Sequence, residues 1–66
     1  DIVSIIRQLA IDNNISMNQL CYNAGLSATN INHKLQRDSL YFSDVEKLLD
    51  AINYHLEIVP NNFKNY

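Results

Sequence analysis

The chain has 66 residues, of which 47% are hydrophobic, and a formal net charge of -2. A chain this short forms one domain and buries only about 60% of the surface that its unfolded form exposes, so a partner chain would add useful stability. Its single cysteine excludes an internal disulfide, no apolar run approaches the ~20 residues of a membrane helix, and no signal peptide is visible. We expect a small cytoplasmic domain with no membrane segment.

The charges are unevenly distributed along the chain. Residues 13–37 contain Lys34 and Arg37 but no acidic residue, and all seven Asp and Glu residues lie outside that range. The central third is therefore locally positive within an acidic chain. The overall negative charge weakens an interaction with nucleic acid, because phosphate binding depends on cationic surface.

Two helices are predicted in the first third of the chain. Residues 2–11, "IVSIIRQLAI", place apolar side chains at helical spacing, and the two Asn residues that follow end this helix. Ser16 is a good N-cap, and Gln19 three residues later completes a capping-box pattern, which predicts a second helix over residues 17–24. Gly25 then follows, where a helix can end with a positive φ that glycine adopts without steric cost.

Two further helices and a short strand are predicted after the glycine. Ser27 caps a helix over residues 28–36, with Ile31 and Leu35 as its inward pair. Ser43 and Glu46 form another capping-box pattern that opens a fourth helix at about residue 44. The apolar stripe of this helix consists of Val45, Leu48, Leu49 and Ile52. Asn53 is predicted to end it with a left-handed backbone. Residues 55–59, "HLEIV", alternate enough for a strand that Pro60 ends, and residues 60–66 read as a tail.

The tight glycine turn between the second and third helices predicts a helix-turn-helix. With Ile31 facing the core, the opposite face of the third helix is neutral and rich in hydrogen-bonding groups. Asn and Gln pair with adenine in the DNA major groove, and Thr contacts thymine methyls or base edges. The candidates for base contacts are Ala28, Thr29, Asn32 and His33. The plain alternative is a solvated helix face.

Several residues around this face are candidates for phosphate contacts. Two of them begin the second helix, where free N–H groups favour an anion. The others lie beside the outward face of the third helix or near the start of the fourth. The set is Asn18, Gln19, Asn30, Lys34, Arg37, Ser39, Tyr41 and Ser43. For each residue alone, an ordinary surface role is as good an interpretation, and capping alone also explains the residues of the second helix.

The stretch "ISMNQLCYNAGLSATNI" resembles the helix-turn-helix of lambda-repressor-like regulators, the group of phage repressors, Cro proteins and xenobiotic-response-element regulators. The likeness runs over roughly residues 3–59 and includes the turn glycine, Gly25, and the buried aliphatic residue of the recognition helix, Ile31. It implies a compact helical domain that binds operator DNA, usually as a dimer on a palindrome. In the family, an arginine that Arg7 matches often pairs with a Glu where this chain has Leu35. We therefore expect either a slightly rotated recognition helix or a link from Arg7 to another acid.

The sequence as a whole predicts an all-α fold: a lambda-repressor-like bundle of four to five short helices with a short C-terminal strand. Residues 1–59 form the DNA-binding domain, residues 17–36 its motif, and residues 60–66 a tail. Because a single strand is unstable alone, residues 55–59 are predicted to pair with a second copy in a homodimer, or with residues preceding Asp1.

The leading functional hypothesis is a sequence-specific regulator that binds a double-stranded operator. The alternative is a protein-interaction module, an antitoxin or adaptor that keeps the fold without strong DNA binding. A third interpretation is the N-terminal domain of a longer regulator, since the chain begins at Asp1 without a methionine. Cys21, His33 and His55 lack metal-ligand spacing, and no catalytic pattern is present. We expect no enzyme activity, no cofactor, no metal and no small-molecule substrate.

Overall fold

The structure, a computed structural model, describes residues 1–61 and consists of four helices in that range. They are α1 (Ile2–Asp12), α2 (Met17–Asn23), α3 (Ala28–Gln36) and α4 (Phe42–Asp50). The predicted all-α fold is confirmed. The range of α3 is the predicted one, α1 ends one residue later than predicted, and α2 ends one residue earlier. None of the helices in residues 1–61 has the length and apolar character needed to span a bilayer.

All four helices contribute to one hydrophobic core. Its central side chains, Leu20 of α2 and Leu48 of α4, are fully buried. Burying a leucine side chain contributes about 1.5–3 kcal/mol, so these contacts dominate the stability of so small a domain. Leu35 and Ile52, both predicted to face inward, are partly buried against the core. The core consists of Ile6, Ala10, Leu20, Cys21, Ile31, Val45, Leu48 and Leu49.

The first three helices begin at side-chain caps. Asp1 Oδ1 accepts a hydrogen bond from the Ser4 N–H at 2.9 Å, and Ser16 Oγ accepts one from the Gln19 N–H at 3.1 Å. Ser27 Oγ accepts from the Asn30 N–H at 3.3 Å. The predicted capping box at α2 forms only in half, because the Gln19 side chain donates to Asn23 Oδ1 at 2.8 Å instead of returning to Ser16.

The start of α4 corrects the sequence prediction. The helix begins at Phe42 rather than near residue 44, and Ser43 and Glu46 do not form its cap. Instead, Asp44 Oδ2 accepts a hydrogen bond from the Tyr41 N–H at 3.2 Å. The carboxylate satisfies this otherwise unpaired N–H and also interacts favourably with the positive end of the helix, so it stabilises a helix that starts at Phe42.

Each of the four helices is followed, two or three residues after its last residue, by a residue with a left-handed backbone. These residues are Asn14 (φ 58°), Gly25 (φ 75°), Asp38 (φ 55°) and Asn53 (φ 65°). After α2, the Gly25 N–H donates to the Tyr22 carbonyl at 3.0 Å and the Leu26 N–H to the Cys21 carbonyl at 2.9 Å. This pair of bonds is a Schellman motif, which satisfies carbonyls that the helix leaves unpaired. The predicted left-handed stops at Gly25 and Asn53 are confirmed, whereas the stop at Asp38 was not predicted.

The predicted C-terminal strand is not confirmed. Residues 55–59 form no strand, because a strand requires a neighbouring strand to pair with and residues 1–61 supply none. The His55 Nε2 and Glu57 Oε2 atoms are 2.7 Å apart, a contact between residues i and i+2 that matches the side-chain alternation of an extended chain. In the predicted tail, residues 62–66 lie outside the described part of the chain.

Candidate nucleic-acid interface

The two central helices and the turn at Gly25 form the predicted helix-turn-helix. Leu20 and Cys21 of α2 and Ile31 of α3 are each at most 1% exposed and belong to the same core cluster. Burial of these side chains fixes α3 in position, so its opposite face is held toward solvent. Desolvation raises the pKa of the Cys21 thiol, and this burial agrees with a packing role.

The outward face of α3 is exposed along its length. Thr29, Asn32 and His33 lie in solvent, and Ala28 is partly buried beside them. Hydrogen bonds on this face use the backbone: the Asn30 N–H donates to the Ser27 cap, and the His33 carbonyl accepts from Arg37 Nε at 3.4 Å. No side-chain hydrogen bond joins Thr29, Asn32 or His33 to another residue of the described chain. Their polar groups are therefore available to a ligand, and their contact with bases stays a prediction.

The predicted phosphate contacts fall into two groups. Asn18 and Gln19 are exposed on α2, with the Gln19 amide already bound to Asn23. Five of the others lie in the stretch from α3 to the first turn of α4 and are exposed: Asn30, Arg37, Ser39, Tyr41 and Ser43. Five of the eight candidates are thus exposed between residues 30 and 43, in α3 and the segment that follows it, and their contact with phosphates stays a prediction.

Lys34 has a different environment from the other candidates. Its Nζ atom lies 3.0 Å from Asp44 Oδ2, and the two side chains are only 26% and 10% exposed. The Nζ atom also lies 4.5 Å from the centre of the Tyr41 ring, within the range of a cation–π contact. The hydrogen bond from Lys34 is the main reason that the pKa of Asp44 is lowered; desolvation opposes it and the Tyr41 N–H assists it.

This ion pair was missed at the level of sequence. The two residues are ten positions apart on different helices, and neither the helical period nor a capping pattern connects them. The sequence did contain one signal for this pair. An acidic residue, Asp44, lies in the first turn of one helix, and a lysine, Lys34, lies on the side of the helix before it. The predicted link from Arg7 to another acid is not formed with any carboxylate of residues 1–61. In this chain, the observed ion pair connects α3 to α4.

The pairing changes the charge of the candidate interface. Lys34 and Arg37 are the two cations of residues 13–37, and the charge of Lys34 is balanced by Asp44. Arg37 is therefore the one cation of that range without a carboxylate partner in the part of the chain that the structure describes. Phosphate attraction on this surface rests on fewer charges than the sequence suggested.

The described residues contain no group of three or more His, Cys, Asp and Glu side chains that could hold a metal ion. A shallow groove of about 360 Å³ lies along α4 and the residues that follow it. It is lined by Glu46, Lys47, Asp50, Tyr54, His55 and Leu56. The groove combines both signs of charge with apolar surface and contains none of the predicted DNA contacts.

A four-helix domain with a buried helix-turn-helix and an exposed polar third helix has the architecture of a DNA-binding regulator. The chain belongs to the Cro/C1-type HTH DNA-binding domain family, whose model matches residues 6–57. The family match confirms the resemblance found in the sequence and identifies the chain as a DNA-binding domain of regulatory type. Domains of this family are typically non-enzymatic. No curated protein and no solved structure matches the chain.

Proposed function

We propose that this protein is a sequence-specific transcriptional regulator of the phage repressor/Cro type, which places α3 in the major groove of an operator. The observation that carries the proposal is the exposed polar face at Thr29, Asn32 and His33, on a helix fixed by the buried Ile31. An ordinary solvated helix would carry Lys and Glu, which form helices better than Asn or Thr. The proposed binding domain comprises residues 1–59, and the protein acts in the cytoplasm.

Each base-contact residue has a chemical role in this proposal. The Asn32 amide both donates and accepts, so it pairs bidentately with an adenine. Thr29 and Ala28 contact a thymine methyl group, and His33 supplies a ring N–H or a ring acceptor to a base edge. Arg37 and the exposed polar residues near it hold the phosphates and fix the register of α3.

The proposed regulator acts as a homodimer in which residues 55–59 pair with the same segment of a second copy. The support for this pairing is the exposed apolar surface of the segment: Ile58 is fully exposed and Val59 is 66% exposed. Pairing would give these extended residues the strand partner that residues 1–61 of one chain do not supply. The two recognition helices would then read half-sites about 34 Å apart, one turn of DNA.

Selection of random duplexes by gel shift at low salt tests the proposal. We expect one enriched sequence, and substitution Asn32→Ala to weaken its binding about 5- to 150-fold, which corresponds to about 1–3 kcal/mol for a bidentate base contact. Gln8→Ala is the matched control, because Gln8 is an exposed amide on α1. Failure to enrich any sequence, or equal losses in the two variants, would contradict base reading by α3.

One observation favours the alternative function, a protein-interaction module. The net charge is -2, and the pairing of Lys34 leaves Arg37 as the one unpaired cation of residues 13–37 in the described chain. Salt titration separates the two functions. For a DNA-binding dimer with one phosphate-contacting cation per subunit, a plot of the logarithm of the binding constant against the logarithm of the salt concentration has a slope of about -1.8, or about -0.9 per contact. An interaction module shows no sequence preference among duplexes at any salt concentration.

A further inference from the structure

The first turn of α4 is tied to the recognition helix through one carboxylate oxygen. Asp44 Oδ2 accepts a hydrogen bond from Lys34 Nζ at 3.0 Å and another from the Tyr41 N–H at 3.2 Å. Asp44 is only 7% exposed, and the Lys34 ammonium also lies against the Tyr41 ring. The two ends of the segment between α3 and α4 are therefore fixed by the same group of three residues.

The same arrangement decides between two uses of the lysine. A Lys34 ammonium that moved to a phosphate would leave the buried Asp44 carboxylate without its cation, and one that stayed would offer the phosphate a charge that Asp44 already balances. An unpaired buried charge is strongly unfavourable, whereas an exposed cation–phosphate contact is weakened by water and salt. The separated carboxylate would also lie beside the segment that is proposed to hold phosphates, and it would repel them.

We propose that Lys34 is a positioning residue, which fixes the start of α4 and residues 37–43 relative to α3 through Asp44 and makes no phosphate contact of its own. This inference rests on the proposed DNA-binding function and replaces the phosphate role expected for Lys34 from the sequence. Phosphate contacts set the register of a protein on DNA, while base contacts specify the sequence. A rigid link between the two surfaces therefore controls discrimination between sequences.

The test measures binding of the 66-residue chain to the enriched duplex and to a shuffled duplex of the same composition, over a range of salt concentrations. For Lys34→Met we expect the ratio of the two affinities to fall at least fivefold, with the salt slope unchanged. Lys34→Arg keeps a cation that can bind Asp44, so it should restore most of the ratio. Arg7→Met is the control for removal of one charge, because Arg7 is exposed on α1 and pairs with no carboxylate of residues 1–61, and it should change neither quantity.

The reciprocal variant gives the opposite change in the salt slope. Asp44→Asn keeps an oxygen for the Tyr41 N–H but removes the charge that holds Lys34. The released ammonium becomes available to phosphate, so the slope should steepen by up to about 0.9 per subunit while the affinity ratio falls. A structural defect alone would lower the ratio without steepening the slope. Circular dichroism checks that each variant is folded, and Asp44→Asn alone decides the matter if Lys34→Met does not fold.

Different results overturn the positioning role and the proposed function. If Lys34→Met makes the salt slope shallower by about 0.9 per subunit, Lys34 contacts a phosphate and the positioning role is wrong. An Asp44→Asn variant with the wild-type slope and ratio overturns that role as well. In both cases wild-type binding to the enriched duplex remains, so the proposed function stands. If the wild-type chain enriches no duplex, the proposed function fails and the positioning role fails with it.

Discussion

Substitution of Gly25 by alanine is expected to destabilise the domain by about 1 kcal/mol, through the backbone alone. Gly25 has a φ of 75°, and a Cβ atom added there would meet no atom within 4 Å. No packing clash therefore contributes. A left-handed backbone costs an L-residue about 1–2 kcal/mol. Alanine returns part of that cost, about 0.4–1 kcal/mol, because it restricts the unfolded chain more than glycine does.

Urea unfolding followed by circular dichroism measures this change directly. A loss of about 1 kcal/mol corresponds to a fall in melting temperature of about 4–8 °C for a domain of this size. Gly25→Asn should lose less than Gly25→Ala, because asparagine occupies the left-handed region more readily than alanine. Asn53→Ala is a second test of the same physics, since Asn53 closes α4 with a φ of 65°. It should cost less than Gly25→Ala, because asparagine already bears part of the cost of the left-handed backbone.

Two outcomes would refute this reasoning. A loss above about 3 kcal/mol at Gly25 would mean that the alanine Cβ meets neighbouring atoms, because backbone strain alone does not reach that value. A variant as stable as the wild type would mean that α2 does not end in a left-handed residue. If Asn53→Ala behaves as expected and Gly25→Ala does not, the error lies in the turn of the motif rather than in the treatment of helix ends.

Three further outcomes are expected. The pKa of Asp44 is lowered, chiefly by its hydrogen bond from Lys34, so its carboxylate stabilises the fold above the unfolded value of about 3.9 and this stabilisation is lost as pH falls through the lowered pKa. The difference in unfolding free energy between wild type and Asp44→Asn should therefore shrink between pH 7 and pH 3; a constant difference would contradict the assignment. Leu20→Ala empties a fully buried position and should cost about 2–5 kcal/mol in urea unfolding, and an unchanged midpoint would contradict the core. Ile58→Lys should make the protein monomeric in sedimentation at tens of micromolar with an intact fold, and a dimeric variant would exclude pairing through residues 55–59.

Signals contained within a few residues were sufficient to predict much of the fold. The cap at Ser27 and the stop at Gly25 each act over three or four positions, and the structure places α3 over its predicted range. The buried position of Ile31 followed from helical period alone. Asp38 was missed as a helix stop, because aspartate is common in turns of many kinds and its presence does not specify a left-handed backbone.

The misses share a different physical cause. The pair of Lys34 and Asp44 depends on how two helices pack, and the start of α4 depends in turn on where that pair holds the carboxylate. The capping pattern at Ser43 indicates neither the ion pair nor the start of α4 at Phe42. The predicted strand at residues 55–59 would require a partner strand, and residues 1–61 contain none. In each case, the deciding contact is made by residues that local patterns do not connect.

The glycine of the motif has a narrower role than its uniqueness in the sequence suggested. The chain ends three other helices with the same left-handed geometry at Asn14, Asp38 and Asn53, and open space surrounds Gly25. Glycine there lowers the cost of the turn but is not required by packing.

Because Arg37 alone supplies an unpaired cation in residues 13–37 of the described chain, the proposed complex gains little from charge and depends on neutral contacts from the recognition helix. In the proposed dimer two such helices double those contacts, so we predict that dimerisation and base reading are coupled requirements for binding.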